Sequence, residues 1–130
     1  MSSDGYITTG EVVVETNYKK VYKLKDGRLI GFSGNGYNWK PILDYFNGHR
    51  KKWPQINGNT SILLLETNGR AYVYDSDGRS FERTVPVAIG SGWMFALGAM
   101  EAGASTEKAV WISARRDVCT GGSVFTETLL

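Results

Sequence analysis

The first residue in this chain placed to do chemistry is Ser91. Val87–Ile89 is a short β-branched run that breaks at Gly90-Ser91-Gly92 before an apolar helical stretch over Met94–Ala102. A strand that delivers a serine to its end, with a helix starting just behind, is a usual setting for catalysis or binding. The same pattern also describes a plain core β-turn-α unit. The other reactive residue types stand alone. His49 has no partner His or Cys and so makes no metal site. Cys119 is the single cysteine, which rules out an intramolecular disulfide. Arg50-Lys51-Lys52 beside Trp53-Pro54 has the residue types that touch nucleic acid, and a solvated connector over His49–Gly58 accounts for it as well.

These groups must be held by one domain, 1–130, long enough to bury a single core. A formal net charge of +2 is too small to make nucleic acid or an anionic membrane the main partner. No apolar run approaches the length of a membrane span, and the first residues lack a signal-peptide pattern. With a lone cysteine, which fits a reducing compartment, the expected location is cytoplasmic.

Taken in order, Val12–Val14 is strand-like, and a second extended run carries Tyr18, Val21, Tyr22 and Leu24 among Lys19, Lys20, Lys23 and Lys25. Asp26-Gly27 marks a hairpin to Leu29–Phe32, which ends at Ser33-Gly34. Tyr37–Phe46 has Trp39, Ile42, Leu43 and Phe46 at helical spacing, with Pro41 in the first turn, where it is tolerated. Strands follow over Ser61–Glu66, Ala71–Tyr74 and Phe81–Val85, separated by Asn68-Gly69 and Asp77-Gly78. Val87–Ile89 is expected as a buried strand, and Met94–Ala102 as a helix covering a sheet from outside. Ser105 is a helix N-cap with Glu107 in the first turn, and Ser123–Leu129 is a last strand. The order implies an α+β fold of two packed antiparallel sheets with helices outside. Trp53, Trp93 and Trp111 sit beside polar or turn residues, and a small domain has limited room to hide them. Self-association is therefore expected.

Several short motifs then occur in a familiar order: Ser3-Asp4-Gly5, Tyr18-Lys19-Lys20-Val21, Gly31-Phe32-Ser33-Gly34, Gly90-Ser91-Gly92 and Asp117-Val118-Cys119-Thr120-Gly121-Gly122. Together they resemble proteasome β-subunits and HslV-type peptidases over almost the whole chain. The 16-position step from Asp4 to Lys20 matches without a gap. The compact form resembles small proteasome-like proteins of phages and prophages, so a bacterial or phage-encoded source is expected.

The resemblance implies a four-layer αββα sandwich and a threonine-type peptidase subunit working by an N-terminal nucleophile. The substrate would be peptide or unfolded protein, and the subunit would join a homo-oligomer, with an ATPase as a possible partner. Lys20 would keep the nucleophile's amine neutral, Asp4 would hold Lys20, and the Gly34 N–H would donate to the oxyanion. Ser91, Asp117 and Thr120 would complete the polar network. No cofactor is implied beyond a possible monovalent cation such as Na⁺ on the backbone carbonyls of Arg116, Cys119 and Gly122, with Cys119 packing in the core. In one respect the chain departs from the pattern. The nucleophile and first strand fall upstream of Met1. Met1 is then an internal methionine of a longer product, or the protein is an inactive relative kept for assembly, or loss of Met1 exposes Ser2 as a substitute nucleophile. A small amidohydrolase acting on a non-peptide amide is a further alternative. On any of these readings, Asp4, Lys20, Ser91, Asp117 and Thr120 should converge on a partly open groove.

Overall fold

A computed structural model describes residues 1–130. The strands are β1 (Ser2–Ser3), β2 (Ile7–Thr9), β3 (Val12–Glu15), β4 (Val21–Lys23), β5 (Leu29–Gly34), β6 (Thr60–Leu65), β7 (Ala71–Tyr74), β8 (Ser80–Arg83) and β9 (Phe125–Thr126). The helices are α1 (Trp39–Phe46), α2 (Trp93–Glu101) and α3 (Thr106–Ala114). β4 to β8 form one antiparallel sheet in chain order. β1 pairs only with β9, and β2 only with β3, again antiparallel.

One turn design makes all three direct hairpins of the large sheet. In Lys25-Asp26-Gly27-Arg28, Thr67-Asn68-Gly69-Arg70 and Ser76-Asp77-Gly78-Arg79, each glycine sits at positive φ, at 92°, 88° and 81°. Its N–H bonds back to the carbonyl of Leu24, Glu66 or Asp75, and the N–H of that residue bonds to the arginine carbonyl. This is a turn closed by a left-handed residue, a conformation that carries a steric penalty for any side chain with a Cβ.

Alternation along the strands sorts the sheet into two faces. Ile30, Phe32, Ile62 and Leu64 pack with Leu24 against Trp39 and Ile42 of α1, and all are buried. Burying each such side chain contributes about 1.5–3 kcal/mol. α1 forms within the Tyr37–Phe46 span that its spacing predicts, and Gly36–Asn38 just before it wind as a 3₁₀ turn. The side chain of Asn38 anchors the far end of this connection, donating at 2.8 Å to both the Asn57 carbonyl and Thr60 Oγ1. Trp53 is not a free surface group: it stacks on Tyr74 with ring centroids 6.0 Å apart, and its indole N–H donates to Ser76 O.

On the opposite face of the sheet Met1, just before β1, comes against Gly31, and α3 lies outside β1 and β9. The layers follow αββα order, and the open, parallel, doubly wound alternative does not occur. Five expectations are corrected here. Val87–Ile89 is half-buried and unpaired, because no strand lies beside it to complete a ladder. α2 packs on α3 rather than on a sheet, and none of its residues is buried. The strand expected over Phe81–Val85 is Ser80–Arg83, and the last strand is only Phe125–Thr126, since β1 offers it just two partners. Cys119 is half-buried in a cleft wall, not in the core.

Candidate functional site

A cleft of about 1010 Å³ lies between the large sheet and the α2–α3 pair. Asp4, Lys20, Gly34, Ser91 and Thr120 line it. Asp4 follows β1 and Lys20 precedes β4, and the two meet through Lys20 Nζ and Asp4 Oδ1 at 2.5 Å. Both side chains are largely buried, at 14% and 11% exposure, so the pair is shielded from solvent screening. The second oxygen, Asp4 Oδ2, accepts the N–H of Gly121 at 2.9 Å and that of Tyr6 at 3.3 Å. The Gly5 N–H in turn donates to Gly121 O at 2.9 Å. A side chain at 121 would have to displace the Tyr6 ring, since a Cβ would fall 2.6 Å from it.

The second cluster is built where α2 begins and α3 ends. Asp117 Oδ2 accepts from Ser91 Oγ at 2.6 Å and from Thr120 Oγ1 at 2.5 Å. Burial pushes the Asp117 carboxyl up, but the hydrogen bonds from Ser91, Thr120 and the Cys119 N–H outweigh it and hold the pKa below the ordinary carboxylate value. Ser113 ties the two helices together, its hydroxyl donating to Gly92 O at 3.2 Å and to Ala109 O at 3.0 Å. Thr120 and Gly121 are adjacent, so one peptide bond joins this cluster to the Asp4–Lys20 pair. The five residues expected to converge do so, with Lys20 facing the cleft and Asp117 standing behind Ser91 and Thr120.

Gly34 ends β5 at the rim with φ +94°, where a Cβ would lie 2.1 Å from Asn59 O. Ser2 has other partners: its hydroxyl shares hydrogen bonds with Thr106 at 2.7 Å and Thr126 at 2.8 Å. The carbonyls of Arg116, Cys119 and Gly122 accept no hydrogen bond from the protein. Sequence reasoning missed the contribution of Gly121, whose role lies in its main chain, and that of Ser113, whose hydroxyl joins the two helices.

The layer order and the antiparallel sheets define the fold of the N-terminal-nucleophile hydrolases of HslV and proteasome type. Among solved structures, the chain matches eukaryotic HslV from Trypanosoma brucei with a TM-score of 0.75 and 21% identity, covering 97% of this chain and 90% of that one. It matches Thiobacillus denitrificans BPH in complex with Epoxomicin with a TM-score of 0.74 and 18% identity, over 95% and 88%. In sequence it is similar to the ATP-dependent protease subunit HslV of Treponema denticola, 25% identical over 158 residues that span 99% of this chain and 89% of the relative. HslV of Thermosipho africanus is 35% identical over 54 residues, 41% of this chain and 31% of that protein. No family model matches. The chain thus resembles HslV-type proteins in sequence and has their fold. No helix is long and apolar enough to cross a membrane.

Proposed function

We propose that this chain is a subunit of a proteasome-like, threonine-type peptidase, built to serve an N-terminal nucleophile brought to the Lys20 end of the cleft. The observation that carries this reading is the shielded Lys20–Asp4 pair, joined through Gly121 to the Ser91–Asp117–Thr120 cluster. A terminal amine acting as base must stay neutral, and a fixed cation beside it favours that state. Lys20 would supply the cation, Asp4 would position it, and the Gly34 N–H would face the developing oxyanion. Ser91, Asp117 and Thr120 would orient the amine. Ser2 is the weaker candidate for a nucleophile, since its hydroxyl is engaged by Thr106 and Thr126.

The free carbonyls of Arg116, Cys119 and Gly122 support a monovalent cation such as Na⁺ holding the Asp117–Gly122 loop. Trp93, Met94, Phe95 and Trp111 stand exposed on α2 and α3, which supports a homo-oligomer. An ATPase partner, a cytoplasmic location and a bacterial or phage source belong to the same proposal. The substrate would be peptide or unfolded protein.

The test is hydrolysis of a fluorogenic peptide. The 130-residue chain is expected to show little or none. A form extended upstream and processed to expose an N-terminal threonine should hydrolyse it, and Lys20→Ala should abolish that activity. No turnover by the extended, correctly processed form would move the assignment to a non-catalytic assembly subunit of the same fold.

A further inference from the structure

Four asparagines in this chain precede a glycine: Asn35, Asn47, Asn57 and Asn68. An asparagine so placed can close on the next main-chain nitrogen, because glycine has no side chain to block the approach to the amide carbon. The fold holds three of the four against this reaction. Asn47 Oδ1 accepts the Lys25 N–H at 2.9 Å, and the Gly48 N–H donates to Tyr45 O at 3.1 Å. Asn68 Oδ1 accepts the Arg70 N–H at 3.0 Å, and the Gly69 N–H donates to Glu66 O at 2.9 Å. Asn35 is tied at both ends of its amide, to the Tyr37 N–H at 3.1 Å and to Asn57 O at 2.9 Å.

Asn57 is the exception. Its side chain makes no hydrogen bond within the protein, nor does the Gly58 N–H, and both residues are exposed. Its main chain, by contrast, is gripped. The Asn57 carbonyl accepts from Asn38 Nδ2 at 2.8 Å and from Asn35 Nδ2 at 2.9 Å, and the Asn57 N–H donates to Asn38 Oδ1 at 3.2 Å. That carbonyl belongs to the peptide bond whose nitrogen would react. As the nitrogen loses its proton, negative charge spreads onto the carbonyl oxygen, where two donors are already held. The cluster thus favours the attacking anion while leaving the side chain under attack free to turn.

We propose that Asn57-Gly58 is a self-modification site, at which the folded chain promotes loss of the Asn57 side-chain amide. The Gly58 nitrogen gives up its proton and bonds to Asn57 Cγ, the Cγ–Nδ2 bond breaks, and ammonia leaves with a proton in exchange. Water then opens the cyclic imide. Opening at Cγ yields an aspartyl residue, and opening at the former main-chain carbonyl yields an isoaspartyl link one carbon longer. Either product places a new negative charge beside Asn35 and Asn38. The longer link also shifts Asn59, whose carbonyl accepts the Asn35 N–H at 2.8 Å where β5 ends. None of this depends on hydrolysis at Lys20.

The experiment incubates the 130-residue protein in mildly alkaline buffer, native and in concentrated urea. Each asparagine is followed by mass spectrometry with fragmentation that separates aspartyl from isoaspartyl products. In the native protein Asn57 should convert at least about tenfold faster than Asn35, Asn47 or Asn68. In urea the four rates should draw together, since glycine follows each asparagine and the hydrogen bonds are gone. Asn35→Asp keeps the acceptor for the Tyr37 N–H and removes one donor from Asn57 O. It should slow conversion at Asn57 by at least about threefold. A native rate at Asn57 no greater than that at Asn68 would overturn the proposal. A spread of rates in urea as wide as in the native protein would overturn it too, assigning the preference to neighbouring sequence. So would an unchanged or faster rate in folded Asn35→Asp, since exposure alone would then account for the reaction.

Discussion

On one side of the large sheet, Leu24, Ile30, Phe32, Trp39, Ile42, Ile62 and Leu64 close into a dry core, four of them fully shielded from water. On the other side, α2 buries no residue at all, and the residues of α3 that are buried are Ala109 and Ser113. The first region is held by apolar area. The second is held by hydrogen bonds that reach across long sequence distances, from Asp4 to Gly121 and from Ser91 to Asp117. A region with few buried apolar contacts opens at lower free energy than a packed core. The site therefore sits on the softer half, where a cleft can stay open, and it is backed by a sheet whose own stability does not depend on it.

The largest expected effect lies in the core. Phe32 is 4% exposed and stacks on Trp39 with centroids 5.4 Å apart. Phe32→Ala should cost about 3–5 kcal/mol, read as a fall in the urea midpoint with little change in slope. Met94→Ala on α2, where the side chain is 61% exposed, should stay within about 0.5 kcal/mol. A loss at Met94 comparable to that at Phe32 would break the contrast, because it would mean that the α2 face is covered in solution.

Asp4→Ala should come next, at about 3 kcal/mol. It strands the Lys20 ammonium in a site with little solvent and removes the acceptor for the Gly121 and Tyr6 amides. Thermal unfolding of Asp4→Ala, Lys20→Met and the double variant would separate the pair from the amide bonds. The double variant should lose less than the two single losses added together, since it leaves no unpaired charge. Additive losses would mean that Lys20 and Asp4 do not interact in solution.

The sequence showed more of the first region than of the second. Asp26-Gly27, Asn68-Gly69 and Asp77-Gly78 mark hairpins because the conformation each turn needs is local and belongs to glycine. α1 was legible because Trp39, Ile42 and Phe46 leave one face apolar. Val87–Ile89 misled, since β-branched residues indicate an extended apolar segment and say nothing about whether a partner strand lies alongside. α2 misled differently: it is apolar nearly all round, so its sequence could not say whether it would pack on a sheet or on α3. The site residues became legible only as an ordered set. Asp4 alone is a turn residue, and Lys20 alone is one of several lysines on a strand. Gly121, which bonds to Asp4 through its main chain, leaves no side-chain signal.

Helix ends test the softer half on a smaller scale. Ser105 Oγ accepts from the Lys108 N–H at 3.1 Å and caps α3. Ser105→Ala should cost about 1 kcal/mol. If α3 opens separately from the core, amide exchange should accelerate within α3 while β5 and β6 stay unchanged. Equal acceleration in both would mean that the two regions unfold as one unit.

The smallest effect is also the most specific to the site. Burial works against ionisation of Asp117, and the donors Ser91, Thr120 and Cys119 N–H more than offset it, so its folded-state pKa lies below the ordinary value of about 3.9. A depressed carboxylate pKa contributes stability that is fully present above the unfolded value and is lost as the pH falls through the folded one. The contribution of Asp117 should thus be intact from neutral pH down to about 4 and fade only in more acid solution. Ser91→Ala combined with Thr120→Val removes two of the three donors and leaves the burial. The Asp117 pKa should then rise, and the acid unfolding midpoint should move to slightly higher pH. Carboxyl carbon chemical shifts across an acid titration measure the first change, and circular dichroism measures the second. An Asp117 that titrates at the ordinary value in the parent protein would mean that the two hydroxyls do not hold it. The cleft would then lack the fixed carboxylate that the proposed orientation of an amine requires.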